Sequence, residues 1–348
     1  MKIALDISPL TNGHKYRGTG FYVKHLVDAF TTYYASQHEF IFFTDTRQIP
    51  DAIDIIHYPY FDPFSFSVPL FPKQKTIITV LDLTPILFSK HFPAGIKGTL
   101  LWQLEKFALS HVSGIITDSN SAKKDIQHVV GIPSEKTTTV YLAAGENFKE
   151  IHDKNALQNV QKKYQLPEKF ALYVGDVTWN KNVPNIVRAA IASNIPLVMA
   201  GKALVNENYD KNNVWNADLI SVQLLAKNTS NIIRLGFVPD EDLVALYNLA
   251  TVFVMPSLYE GFGLPILEAM RCGCPVITSN EGSLPEVAGE SAYVVDAKNK
   301  DSIALGIQEV FHNQTLQKKL SEKGLEQAKK FSWRKTAQET ILAYEKLL

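Results

Sequence analysis

Two carboxylates, Glu260 and Glu268, bracket the run Gly261-Phe262-Gly263-Leu264-Pro265, and this is the part of the chain best suited to chemistry. A carboxylate accepts hydrogen bonds from both hydroxyls of a vicinal diol, so each is suited to hold a sugar or a ribose. Gly261 and Gly263 let the backbone approach a ligand closely. Pro265 suits a first helical turn and Gly273 a helix end, which predicts a helix starting near Leu264. The unpaired amides and positive dipole end of such a helix form an anion site that fits a diphosphate. Taken singly, Glu260 reads as a dipole complement and Glu268 as a solvated face residue; taken with the loop, they read as a ligand site.

Other chemistry-bearing patterns are weaker. Gly18-Thr19-Gly20 precedes an apolar helical pattern from Phe21 to Phe30, with Lys15 and Arg17 beside it. It is not a dinucleotide fingerprint, because Val23 stands at the third glycine position and the strand lies well upstream. Asp240-Glu241-Asp242 follows Pro239 at a helix start, where acids cap and complement the dipole. The nine histidines show no His-x-x-x-His spacing, so the sequence does not call for a metal.

The elements that must position these residues read as two βαβ series. Lys2 to Ile7 is a buried strand, followed by apolar runs at Phe40 to Phe43, Ile53 to Ile56, Thr76 to Leu81 and Ile115 to Thr117, with a helical pattern at Leu100 to Leu109. After a polar stretch from Lys149 to Tyr164, strands recur at Phe170 to Gly175, Pro196 to Ala200, Ile232 to Leu235, Val252 to Met255 and Pro275 to Thr278. The expected fold class is α/β, with two Rossmann-like domains facing across a cleft. The expected boundaries are 1–165, 166–331 and a closing helix, 332–348, capped by Ser332 and crossing back to the first domain. His57 to Pro72 is dense in proline and aromatic residues and reads as a loop folded on its own domain, with an apolar lip toward a lipid-linked acceptor or membrane as the functional alternative.

Bulk composition excludes several classes. The 348 residues carry 35 basic and 35 acidic side chains, so no global field recruits nucleic acid. The two cysteines, Cys272 and Cys274, are too close for an unstrained disulfide and read as buried thiols of a reducing cytoplasm. No apolar run is long enough to span a membrane.

The run Tyr259-Glu260-Gly261-Phe262-Gly263-Leu264-Pro265-Ile266-Leu267-Glu268-Ala269-Met270 resembles the paired-glutamate signature of retaining glycosyltransferases of family 4, which have the GT-B fold. The resemblance continues through Gly273 to Thr278, Gly282 to Gly289 and Ile233 to Val238. It implies that Glu268 binds the donor ribose and Glu260 the transferred sugar, with the amides of Gly261, Phe262, Gly263 and Leu264 nearby and Val238 against the base. It implies further that Lys181 and Gly20 meet the donor phosphates, and that Asp82 and Ser119 match site positions in the first half. Two positions depart from the pattern. Asp176 stands where the family has an arginine, and Leu81 where a histidine commonly precedes the aspartate, with His91 as a substitute.

The expected activity is therefore retaining, metal-independent transfer of a hexose of mannose type. The donor would be a GDP- or UDP-linked sugar and the acceptor a saccharide or lipid-linked saccharide of surface polysaccharide synthesis. Glu260, Lys181 and Asp82 are the catalytic candidates, no cofactor is needed, and the cellular site is the cytoplasm with peripheral contact at the inner membrane face. Leu81 and Asp176 motivate the alternative of a non-catalytic nucleotide-sugar-binding protein. A dinucleotide oxidoreductase is a second alternative, weakened by the missing fingerprint.

Overall fold

The structure, a computed structural model, describes residues 1–16, 18–227 and 229–348. The chain divides into two compact units, Met1–Ala143 with Phe331–Leu348, and Ala144–Lys330. The first contains β1 (Lys2–Asp6), α1 (Gly18–Tyr33), β2 (Glu39–Phe43), β3 (Ile55–Tyr58), β4 (Thr76–Thr79), α2 (Thr84–Leu87), α3 (Gly95–His111), β5 (Gly114–Thr117), α4 (Asn120–Val130) and β6 (Thr137–Thr139). The second runs through α5 (Lys154–Lys163), β7 (Ala171–Val174), α6 (Val183–Ala192), β8 (Leu197–Ala200), α7 (Ala217–Ala226), β9 (Ile232–Gly236), α8 (Asp240–Leu249) and β10 (Val252–Met255). It continues with α9 (Leu264–Arg271), β11 (Val276–Ser279), α10 (Leu284–Ala288), β12 (Tyr293–Val295), α11 (Lys300–His312) and α12 (Gln314–Ala328), after which α13 (Trp333–Glu345) belongs to the first unit.

Each unit holds one six-stranded parallel sheet among the described residues, ordered β2-β1-β3-β4-β5-β6 and β12-β11-β10-β7-β8-β9. In the first, Ala4 of β1 pairs with Ile41 on one side and Ile56 on the other. Inner strands such as β4, β5, β8 and β10 are buried at every position. A parallel strand covered by helices on both faces needs an apolar side chain at nearly every residue, which is why these runs stand out as continuous rather than alternating. β6 and β12 complete the sheets at one edge of each. Both are three residues long, and Thr137–Thr139 is polar, so neither makes an apolar run visible in the sequence.

The units divide at Ala143/Ala144 rather than at 165/166, because the polar segment is fastened to the second unit. Lys163 Nζ and Tyr164 Oη both donate to Asp242 Oδ2, at 2.6 and 2.7 Å. Asn248 accepts from the Ile151 amide at 2.7 Å and donates to the Lys149 carbonyl at 3.0 Å. Asp242 therefore pairs with α5; the N-cap position of α8 is Pro239, which has no side-chain capping bond, so the acidic run at this helix start is not a side-chain cap. In α13, Ser332 Oγ accepts from the Lys335 amide at 3.2 Å, and the Trp333 ring stacks on His25 of α1 with centroids 5.0 Å apart.

His57 belongs to β3 and to the core, not to the proline-rich loop. Its Nδ1 meets Tyr344 Oη of α13 at 2.6 Å and its Nε2 meets Thr79 Oγ1 at 2.8 Å, while Tyr22 Oη of α1 also meets Thr79 Oγ1, at 3.1 Å. Burial pushes the His57 pKa down to about 3, so the ring is neutral and serves both neighbours as a hydrogen-bonding bridge.

Candidate functional site

The second unit assembles its chemistry at the C-terminal ends of β7 and β10, where parallel α/β sheets take ligands. After β10 the chain turns through Pro256 to Gly263, and α9 starts at Leu264 with Pro265 in its first turn. Gly263 occupies the N-cap position at φ +97°, a left-handed angle, and a Cβ there would lie 2.8 Å from Leu284 Cδ2. The left-handed angle calls for glycine, and a larger residue would also have to displace the Leu284 methyl.

Glu260 and Glu268 are both buried. Glu260 Oε2 accepts from Lys181 Nζ at 2.7 Å and Oε1 accepts from Ser257 Oγ at 2.6 Å. A buried carboxylate needs such partners to remain charged. Lys181 reaches it from the turn after β7, whose backbone is pinned to the same loop: the Asn180 carbonyl accepts from the Leu258 amide at 2.7 Å, and Asn180 Nδ2 donates to the Tyr259 carbonyl at 3.1 Å. Asn182, at φ +59°, donates to the Pro256 carbonyl at 3.0 Å and to the Ala297 carbonyl at 2.7 Å. The lysine turn and the glutamate loop are thus hydrogen-bonded to each other through both backbone and side chains.

A second brace comes from the β11–α10 connection. Ser283 Oγ donates to the carbonyls of Glu260 and Phe262 at 3.0 and 2.8 Å. Gly282, at φ +58°, lies so close that a Cβ would sit 2.6 Å from the Glu260 carbonyl oxygen. With the Glu260 and Phe262 carbonyls held from behind, the Gly261 to Gly263 segment is fixed ahead of the α9 N-terminus.

Glu268, on α9, accepts from Tyr247 Oη of α8 at 2.9 Å. Burial is the main cause that raises its pKa to about 7; the Tyr247 bond opposes this and the charge of Asp240 adds to it. Its carboxylate is therefore poorly solvated and gains from any ligand that supplies hydroxyl donors. Val238 is buried just beyond β9, while Asp176 is exposed and its carbonyl accepts from Tyr173 Oη at 2.6 Å. Burial also pushes the thiols of Cys272, to about 12, and Cys274 upward, and both are free.

In the first unit, Gly20 is not ahead of a helix but within the first turn of α1, and it is buried. Ser119 is the N-cap of α4, its Oγ accepting from the Ala122 amide at 3.0 Å. Asp82 is exposed after β4, with Oδ1 accepting from the Thr84 amide at 2.9 Å. Lys15 and His91 are exposed, and Arg17 lies outside the described residues.

Ser257, Tyr247, Asn180 and Asn182 are the participants that sequence reasoning misses. Ser257 was within reach, since it lies three residues before Glu260 on the same loop. Tyr247 carries no local signal, being 21 positions from the carboxylate it serves.

Residues 155–327 match the family model described as glycosyl transferases group 1. Over 242 residues, 67% of the chain, the sequence is 36% identical to O-antigen chain mannosyltransferase B of Escherichia coli and spans 60% of that protein. Over 314 residues, 86% of the chain, it is 31% identical to the serotype-specific mannosyltransferase WbdA of Escherichia coli, of which it spans 37%. Among solved structures, sucrose-phosphate synthase from Thermosynechococcus elongatus aligns over 100% of this chain and 99% of that one, with a TM-score of 0.76 at 19% identity. Two Rossmann-like parallel units of this kind define the GT-B fold. The chain belongs to the glycosyl transferases of group 1.

Proposed function

We propose that this chain transfers a hexose, of mannose type, from a nucleotide-diphosphate sugar to a saccharide or lipid-linked saccharide, with retention at the anomeric carbon and without a metal. The observation that carries this reading is the Lys181–Glu260–Ser257 cluster fixed beside the N-terminus of α9, with buried Glu268 on the same helix. The mannosyltransferase names of the two relatives motivate the sugar.

In this reading the diphosphate lies at the amides of Gly261 to Leu264, Glu268 accepts the ribose hydroxyls and Val238 lines the base. Glu260 accepts hydroxyls of the hexose, and Lys181 neutralises the leaving phosphate. The C1–O bond to phosphate breaks as the acceptor oxygen bonds C1 on the same face, and the acceptor proton passes to a phosphate oxygen. Charge develops on the leaving diphosphate, where the cation and helix terminus are already in position. Asp176 leaves Lys181 as the cation of this loop. Asp82 and Ser119 follow β4 and β5 of the first unit and Gly20 lies in the first turn of α1; that unit is assigned the acceptor, with Gly20 and Ser119 kept for the donor.

The test is to incubate purified protein with GDP-mannose and with UDP-hexoses, with and without a chelator, and read the anomeric configuration of any glycoside by NMR. An α-product from an α-donor in the presence of chelator is expected. Binding of donors with neither transfer nor hydrolysis would favour the non-catalytic alternative.

A further inference from the structure

The exposed face of α3 in the first unit takes no part in the site just described. Ile96 is 85% exposed, Leu100 63%, and Leu104 and Phe107 are exposed with them. At 100° per residue these four fall within an arc of about 80°, running about 17 Å along the helix. Phe71, 73% exposed, extends the stripe by packing its ring on Phe107 with centroids 5.9 Å apart, and Phe66, 69% exposed, stands on the same loop. That loop is tied to the helix, since Glu105 accepts from Ser67 Oγ at 2.8 Å and from the Ser67 amide at 3.2 Å.

The exposed charge of α3 is all basic, and Asp62 of the adjoining loop is half-buried, its carboxylate taking the Phe64 amide and the Tyr60 hydroxyl. Glu105 is the only acid of α3 and is turned inward, while Lys97 and Lys106 lie on either flank of the apolar arc. Lys73 follows Phe71 and Lys90 precedes the helix, both exposed. A contiguous apolar face rimmed by lysines is ill suited to water. It fits a surface that is anionic outside and apolar beneath.

We propose that α3, with Phe66 and Phe71 beside it, seats the protein on a bilayer containing anionic lipid. The apolar side chains enter the headgroup boundary and the lysines meet lipid phosphates. This builds on the reading of a lipid-linked acceptor, which such a surface would present. Lipid is favoured over a protein partner because the stripe pairs bulky side chains with long flexible lysines and offers no acidic or hydrogen-bonding pattern for a specific fit.

The experiment is co-flotation of the full chain with phosphatidylcholine vesicles, with or without about 30% phosphatidylglycerol, at low and high salt. The native chain is expected to bind the anionic vesicles, and to lose about tenfold in partition on neutral vesicles or at high salt. The double variant Ile96→Ser, Leu100→Ser should lose about tenfold or more on anionic vesicles, and Lys97→Glu with Lys106→Glu a similar factor. These positions are exposed, and circular dichroism checks that the fold is kept. Equal partition of native and variant chains, or no binding by the native chain, would overturn the proposal. So would concentration-dependent self-association that the double variant abolishes while vesicles bind nothing. Transfer to a water-soluble saccharide, measured in parallel, should be unchanged in both variants; its absence from every sample would count against the enzymatic reading and leave the partition result intact.

Discussion

In the first unit one buried titratable group, His57, has a hydroxyl on each ring nitrogen, from Tyr344 and Thr79, and Tyr22 also meets Thr79. In the second, the buried Glu260 and Glu268 lie beside a glycine loop and a helix terminus, and Glu268 titrates near pH 7. The sheets are alike, yet the His57 cluster closes on itself within the first unit's core, while Glu260 and Glu268 lie on the loop and helix that follow β10 of the second. The difference also gives opposite responses to pH. The His57 pKa, about 3 in the folded chain, is below its unfolded value, so its contribution is present above about pH 6.5 and is lost as pH falls toward 3. The Glu268 pKa is raised, so the folded chain holds the extra proton; stability falls as pH rises from about 4.5 to 7.

Lys181→Ala should be the most disruptive change. It removes the cation from the turn after β7 and leaves Glu260 with one partner, so on the proposed reading transfer should fall about 10²–10³-fold and stability by about 3 kcal/mol, measured by steady-state kinetics and urea unfolding. A loss of stability with activity intact would move Lys181 from the site to the scaffold. Glu268→Gln sharpens the comparison in the other direction. At about pH 8 it removes a poorly solvated charge and should stabilise the ligand-free chain by up to about 3 kcal/mol, a gain that vanishes at about pH 4.5. Thermal melts across that range check the sign.

Tyr344→Phe acts on the other unit, leaving His57 Nδ1 without its hydroxyl partner. A cost of about 1–3 kcal/mol is expected in thermal unfolding, with the donor affinity unchanged. Ser119→Ala should give the smallest effect, about 1 kcal/mol, if its hydroxyl serves only to cap α4. A fall in transfer rate beyond that stability change would return Ser119 to the site.

What the sequence made legible follows from locality. Five strands per unit stand out because buried parallel strands are continuous apolar runs, whereas β6 and β12 are too short and, in β6, too polar to register. The Glu260 to Glu268 segment is legible because its glycines, proline and carboxylates lie in one stretch. The supports contributed by Tyr247, Asn180 and Asn182 are set by tertiary contacts and leave no mark on their neighbours. Gly20 falls inside α1 because its glycines join the first helical turn, which the apolar pattern starting at Phe21 does not reveal. The unit boundary was displaced for a similar reason: the polar surface of α5 hides its attachment to α8.

The central claim, that Glu268 receives the donor's ribose as a carboxylate, is tested most directly by calorimetric titration of GDP-mannose and a UDP-hexose at several pH values. The diphosphate diester of a nucleotide sugar has no group that titrates near neutrality, so a pH dependence reports on the protein. The affinity of the preferred donor should weaken by up to about tenfold for each unit below about pH 7, and Glu268→Gln should bind more weakly with a flat profile. Affinity independent of pH, or a Glu268→Gln variant that binds as the native chain does, would contradict the account.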